Sequence, residues 1–193
     1  MTTDRENYEP GPASGARIQK DGENWTLVII RELRHTPEKV WLALTDPAHL
    51  HEWAPFDADG GMGNSGARVQ LTTVGASRPL VTTTTIRRAE PPGLLEYSWG
   101  DIDMRWELEA IPGGTRLTLW SKIDRRYIAM GAAGWHICFD VMDRLLIGKP
   151  IGRLVAADAM TFGHWRRLHS EYAAQFQSTT KLTQELTQEG EQE

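Results

Sequence analysis

The side chains in this sequence that could do chemistry are few and scattered. His136 and Asp140 stand four residues apart in a stretch of helical periodicity, so they are neighbours on one helix face. A carboxylate beside an imidazole can orient it as a general base. The pair falls opposite Trp135, Phe139, Met142 and Leu146, however, and reads first as a solvated surface pair. His49 and His51 are two apart and point in different directions on a helix, and no third ligand is spaced for zinc. His164 and His169 are similarly unpaired, so neither a metal nor another cofactor is expected. Ser65, Ser98 and Ser121 lie in no nucleophile motif of the Gly-x-Ser-x-Gly kind. Cys138 sits between helical stripes and reads as a small buried hydrophobe. The run Gly60-Gly61-Met62-Gly63 lacks the Lys-Ser/Thr ending of a phosphate loop and reads as a mobile loop. Arg31 is the outlying charge. It alternates with Leu27, Ile29 and Leu33, so it either faces inward, where it needs a carboxylate or a ligand anion, or sits part-exposed at the strand end.

Apolar and aromatic side chains offer more. The eight Trp supply large rigid surfaces that either fill a core or line a pocket. Trp135, Phe139 and Met142 share a helical stripe, and Met adapts to irregular ligands. Tyr97, Met104, Trp106 and Leu117 lie on the apolar faces of strands, and Trp53 and Phe56 precede the glycine-rich loop. With Arg31, these ten are the candidate cavity residues; for each, plain packing is the competing role.

Elements must position them. Trp25 to Arg34 alternates as a first strand. Thr36-Pro37-Glu38 opens a helix: Thr36 caps, Pro37 occupies a site where its missing N–H costs nothing, and Glu38 complements the dipole. Asp46-Pro47 starts a second short helix in the same way. Asp57 to Gly66 reads as a loop. Strands follow at Ala67–Val74, Leu80–Ala89, Leu94–Trp99, Asp103–Ala110 and Thr115–Ile123, separated by turns such as Pro91-Pro92-Gly93 and Pro112-Gly113-Gly114. Their short turns favour an antiparallel meander, and one apolar face requires a cover. The helix through Trp135 and Leu146, stopped by Gly148-Lys149-Pro150, is the natural cover. Residues 1–21 read as a flexible leader and 178–193 as a polar tail. Between them lies one domain, 22–177, with an additional helix from about residue 158.

Several of these pieces, in this order, resemble the START/polyketide-cyclase-like (SRPBCC, helix-grip) superfamily. They are Thr36-Pro37-Glu38-Lys39-Val40-Trp41, Thr45-Asp46-Pro47, Trp53, Pro91-Pro92-Gly93-Leu94-Leu95-Glu96-Tyr97, Gly113-Gly114-Thr115-Arg116-Leu117-Thr118-Leu119 and Gly134-Trp135-His136. Within that superfamily the chain is most similar to bacterial homologues of the activator of heat-shock protein 90 ATPase. The resemblance implies an α+β fold in which a curved antiparallel sheet wraps around a long C-terminal helix, with two short helices after strand 1 and an internal cavity. It implies no single activity, since such folds host carriers, cyclases, hydrolases and chaperone partners.

The leading expectation is therefore binding of a small hydrophobic, aromatic or lipid-like molecule, without catalysis. A cyclase or hydrolase acting on a polyketide-like substrate would need converging polar groups, for which Arg31, Tyr97 and Ser121 are the loose candidates. A chaperone ATPase activator or stress-response protein would need an exposed patch for a protein partner. The formal charge of −5 argues against nucleic acid and anionic membrane as partners. No stretch is long and apolar enough for membrane insertion. A single Cys allows no internal disulfide, which fits a cytoplasmic setting. The sequence specifies no oligomeric state.

Overall fold

The computed structural model describes residues 3–75, 78 and 80–190, with side chains placed for 4–75, 78 and 80–178. After a single helical turn, α1 (Thr3–Glu6), the chain runs through strands β1 (Ala16–Asp21) and β2 (Asn24–Leu33). Helices α2 (Pro37–Thr45) and α3 (Pro47–Trp53) come next. Strands β3 (Phe56–Ala58), β4 (Arg68–Thr73), β5 (Leu80–Thr85), β6 (Arg88–Glu90), β7 (Leu94–Trp99), β8 (Ile102–Ile111) and β9 (Gly114–Lys122) follow. A short 3₁₀ turn (Arg125–Tyr127) leads into the long helix α4 (Ile128–Leu146), then α5 (Ala156–Thr161) and α6 (Gly163–Gly190).

The six-stranded antiparallel sheet has the order β1-β2-β9-β8-β7-β6, and β3-β4-β5 form a smaller sheet. On the inner face of the large sheet, Leu27, Ile29, Leu95, Tyr97, Met104, Trp106, Leu117 and Leu119 are buried. Helix α4 covers them with Trp135, Phe139 and Met142. The outer face carries a network of ion pairs, most of them between neighbouring strands. Arg105 meets Glu96 and Glu107, Arg116 meets Glu32 and Glu109, and Arg87 and Lys122 meet Asp103. Exposed pairs of this kind contribute little singly. They do let a one-sided sheet face water without inviting association. This is the helix-grip arrangement that the family resemblance implies.

Both helix-start signals act as read. The Thr36 side chain accepts from the Lys39 N–H, Asp46 accepts from the His49 N–H at 3.0 Å, and Pro37 and Pro47 open α2 and α3. Several details depart from the sequence reading. The strand expected at Leu80–Ala89 is two, β5 in the small sheet and β6 at the edge of the large one. Residues 16–21, expected within a flexible leader, form β1 and pair with β2 from Ala16↔Ile29 to Asp21↔Asn24. Gly22, with φ +57, makes the tight connection that glycine permits at the first central position of a hairpin turn. The loop expected at 57–66 carries β3 at its start and buries Met62 completely, its N–H donating to the Thr45 carbonyl at 2.9 Å. The single helix expected from about residue 158 is two, broken at Phe162. Helix α6 runs on to Gly190, the extension into the polar tail that the helical spacing of Leu182 and Leu186 allows.

Candidate functional site

The predicted cavity residues divide. Trp53, Phe56, Tyr97, Met104, Trp106, Leu117, Phe139 and Met142 are essentially inaccessible and pack on one another. Trp106 lies 6.3 Å from Trp53, 5.9 Å from Phe139 and 5.5 Å from Trp135, each edge to face. Such aromatic contacts stabilise beyond the area they bury. Their polar handles are spoken for: Trp53 Nε1 donates to the Ala43 carbonyl at 2.9 Å, and Trp106 Nε1 to the Tyr97 hydroxyl at 3.2 Å. Burial raises the Tyr97 phenol, which stays neutral. These eight fill the sheet–helix interface as ordinary core.

Space opens at one end of that interface. A cleft of about 1200 Å³ lies between the start of β2, the ends of β7 and β9, the first half of α4, and α5. Of the ten candidates only Trp135 lines it. Trp135 marks the boundary, meeting Phe139 at 5.9 Å on its core side and Trp99 at 6.4 Å on its cleft side. Trp99 Nε1 is held by Thr73 Oγ1 at 3.0 Å. The apolar wall also includes Trp25, Trp165, Met130, Met160 and Val155, none of them among the ten candidates. Helix α4 contributes Met130, Gly131, Gly134, Trp135 and Cys138, a single face at three- and four-residue spacing.

The two glycines on that face differ. A Cβ on Gly131 would lie 2.8 Å from Ile123 Cδ1 and 3.5 Å from Leu27 Cδ2, so its absence lets helix and sheet approach. A Cβ on Gly134 would meet nothing within 4 Å. Glycine inside a helix lowers stability relative to alanine, and here no neighbour requires it; what it leaves is room. A pair of glycines three apart, in a stretch otherwise patterned as a helix, was the sequence signal for this cleft. Cys138 also faces it, and burial pushes its thiol up to about 12, so it is a neutral, inert wall.

Arg31 and His136 lie elsewhere. The Arg31 guanidinium donates to the carbonyls of Ser14 and Ile30, both at 2.9 Å, and to the Tyr172 hydroxyl at 3.4 Å. It therefore clamps the N-terminal segment and has neither a carboxylate nor the cleft before it. His136, expected at the surface, is 4% exposed, because α6 and the N-terminal segment cover the polar side of α4. Its Nδ1 lies 2.8 Å from the Tyr172 hydroxyl and its Nε2 3.7 Å from Asp140. Tyr8 donates to Asp140 at 2.6 Å and stacks on Phe162 at 5.5 Å. Burial, with the Arg31 and Arg167 cations nearby, pushes His136 down to about 4, and burial raises Asp140. The chain Arg31–Tyr172–His136–Asp140–Tyr8 stitches the first fifteen residues to α4 and α6. Among the described residues, no group of His, Cys, Asp and Glu could hold a metal ion, and no helix is long and apolar enough to cross a membrane.

With this geometry in view, the comparisons are informative. The model of the activator of Hsp90 ATPase homolog 1-like protein family matches residues 34–146, more than half of the chain and the segment from α2 to the end of α4. No curated protein matches the chain in sequence. Many solved structures share the fold. A conserved protein of unknown function from Enterococcus faecalis superposes with a TM-score of 0.63 at 13% identity, over 83% of this chain and 89% of that one. A protein from Rhodobacter sphaeroides gives 0.56 at 23% identity, over 69% and 98%. An AHSA1-like protein from Aeromonas hydrophila gives 0.53 at 22% identity, over 64% and 92%. Identities this low establish the fold alone. The family match carries further: this chain belongs to the activator of Hsp90 ATPase homolog 1-like protein family.

Proposed function

We propose that the protein binds a small apolar or aromatic molecule in the cleft between the end of the sheet and helices α4 and α5. The observation that carries this reading is Gly134. Natural ligand sites are largely preformed concavities with apolar and aromatic walls. Here a helix accepts an intrinsically unfavourable residue in mid-length and thereby keeps such a concavity open beside Trp99 and Trp135. The polar candidates favour carriage over catalysis. Of Arg31, Tyr97 and Ser121, only Ser121 lines the cleft, while Arg31 is bound to the Ser14 and Ile30 carbonyls and Tyr97 accepts from Trp106 in the core, so the three do not converge.

The test is titration with the neutral fluorescent probe phenylnaphthylamine, read by its emission, by quenching of tryptophan fluorescence and by thermal unfolding. Saturable binding with a raised melting temperature is expected, because a ligand of the native state stabilises it by mass action. Absence of saturable binding by this probe and by a panel of aromatic, lipid and polyketide-like compounds would overturn the reading.

A further inference from the structure

The rim of the cleft carries an uneven distribution of committed and uncommitted charge. Lys122 is held by Asp103 at 2.9 Å, and Asp124 by Arg126 at 2.8 Å. Lys20 and Arg125 are different. Lys20 Nζ lies 5.6 Å and Arg125 Cζ 5.3 Å from the centroid of the same ring, that of Trp25 on the cleft wall. Among the described residues, neither has an ion-pair partner in the charge network that ties up its neighbours. The two remaining rim carboxylates are Asp101, in the β7–β8 turn, and Glu23, in the β1–β2 turn that follows Lys20; among the described residues neither forms an ion pair with Lys20 or Arg125. The same wall contains the start of α4, a 19-residue helix whose N-cap residue Tyr127 makes no side-chain capping bond. The 3₁₀ turn before it is already met by a carboxylate, since Asp124 accepts from the Arg126 N–H at 2.9 Å, so the attraction for a ligand anion rests on the two cations. A guanidinium and an ammonium, partly sheltered by an indole, form charge-assisted hydrogen bonds to an oxyanion that are stronger than neutral ones.

We propose that the ligand is an amphiphilic organic anion: an apolar, aromatic-sized body lying against Trp99 and Trp135, with a carboxylate or comparable anionic group at Lys20 and Arg125. The inference rests on the cleft being a ligand site and adds its polarity and orientation. Ligand entry is then directional, body first, with the charge left at the wet rim where its desolvation is partial.

The experiment compares two probes that share an aryl-naphthylamine skeleton and differ in charge, anilinonaphthalene sulfonate and phenylnaphthylamine. Each is titrated against the full chain at low and at high salt. The sulfonated probe is expected to bind at least about tenfold more tightly at low ionic strength, with the preference shrinking as salt screens the rim. In the double variant Lys20→Ser/Arg125→Ser, the sulfonated probe loses about tenfold and the neutral probe no more than about threefold. Gly134→Leu, which places a side chain in the cleft, should weaken both. Equal affinity of the two probes for the native chain overturns the inference and leaves the binding reading standing. So does equal weakening of both by the double variant. Sulfonate binding that survives Gly134→Leu places that probe outside the cleft and overturns the inference as well. Failure of both probes to bind overturns the inference, and the compound panel then decides the binding reading on its own.

Discussion

Gly134 and Gly131 are one turn apart on the same face of α4, yet the structure assigns opposite reasons to them. Alanine at position 134 removes the backbone entropy cost of a mid-helix glycine, about 0.5–1 kcal/mol. Its Cβ meets no atom within 4 Å, so nothing is subtracted from that gain. Alanine at position 131 has the same entropic gain available, but its Cβ would stand 2.8 Å from Ile123 Cδ1. The isoleucine terminus must shift, and overpacking of a tight site costs about 1–3 kcal/mol. Gly134→Ala is therefore expected to stabilise by about 0.5–1 kcal/mol and Gly131→Ala to be neutral or destabilising. Denaturant unfolding of the two variants beside the native chain measures both, the midpoint shifting while the slope is unchanged. Gly134→Leu extends the argument to function. Leucine is among the better helix formers, so the fold is retained while the branched side chain occupies the space beside Trp135, and affinity for phenylnaphthylamine should fall at least about tenfold, a cost of ~1.4 kcal/mol. A destabilising Gly134→Ala would show that the position is packed and the open cleft illusory. A stable Gly134→Leu that binds the probe as well as the native chain would place the ligand elsewhere.

Three further perturbations probe the elements around the cleft. His136 is neutral in the folded chain because burial holds it at about 4, below the ordinary 6.5, so the unfolded chain binds the extra proton between those values. Stability should fall as pH drops from about 6.5 to about 4, by no more than ~3 kcal/mol, with the raised Asp140 opposing part of the loss because it accepts its proton more readily when folded. Chemical denaturation across that range should show a shallower acid limb in His136→Gln, and an unchanged limb would refute the assignment. Tyr8→Phe removes the hydroxyl donor to Asp140 and should cost about 1–3 kcal/mol, with loss of proteolytic protection in the first fifteen residues as the independent readout. Trp53→Ala empties a completely packed site and should cost about 3–5 kcal/mol, well above any single substitution at the exposed cleft mouth such as Met160→Ala.

What could be read from the sequence, and what could not, follows from how far each feature reaches along the chain. The starts of α2 and α3 depend on two dipeptides, Thr36-Pro37 and Asp46-Pro47, whose side chains act within three residues, so local inspection places them correctly. The strands from β7 to β9 announce themselves by strict alternation, because one face is buried under α4 and the other is wet. Strand β1 lacks that contrast. Arg17, Gln19 and Lys20 are polar, Ile18 is the sole large apolar residue, and its pairing partner supplies the order; the Asp21-Gly22 turn was the available clue. His136 shows the complementary failure. Its side of α4 is polar in sequence and buried in space, because α6 brings Tyr172 and the chain start brings Ser14 and Tyr8 to satisfy it. No periodicity within α4 can report a partner 36 residues away.

The division of the aromatic residues into core and cleft is the deepest of these limits. Trp135 and Phe139 are one turn apart on one stripe, with the same chemistry and the same helical address. Phe139 is enclosed because Trp53 and Trp106 reach it from α3 and β8, whereas Trp135 lies where the sheet ends and α5 stands off. Which residues line a cavity is decided by where the covering element runs past its partner, and that length mismatch is a property of the assembled fold. What a sequence can carry is the trace of room deliberately left. A residue chosen against helix propensity, on the face that looks into the interface, and with no neighbour close enough to demand it, is such a trace. On that criterion Gly134 locates the cleft more sharply than any of the eight tryptophans.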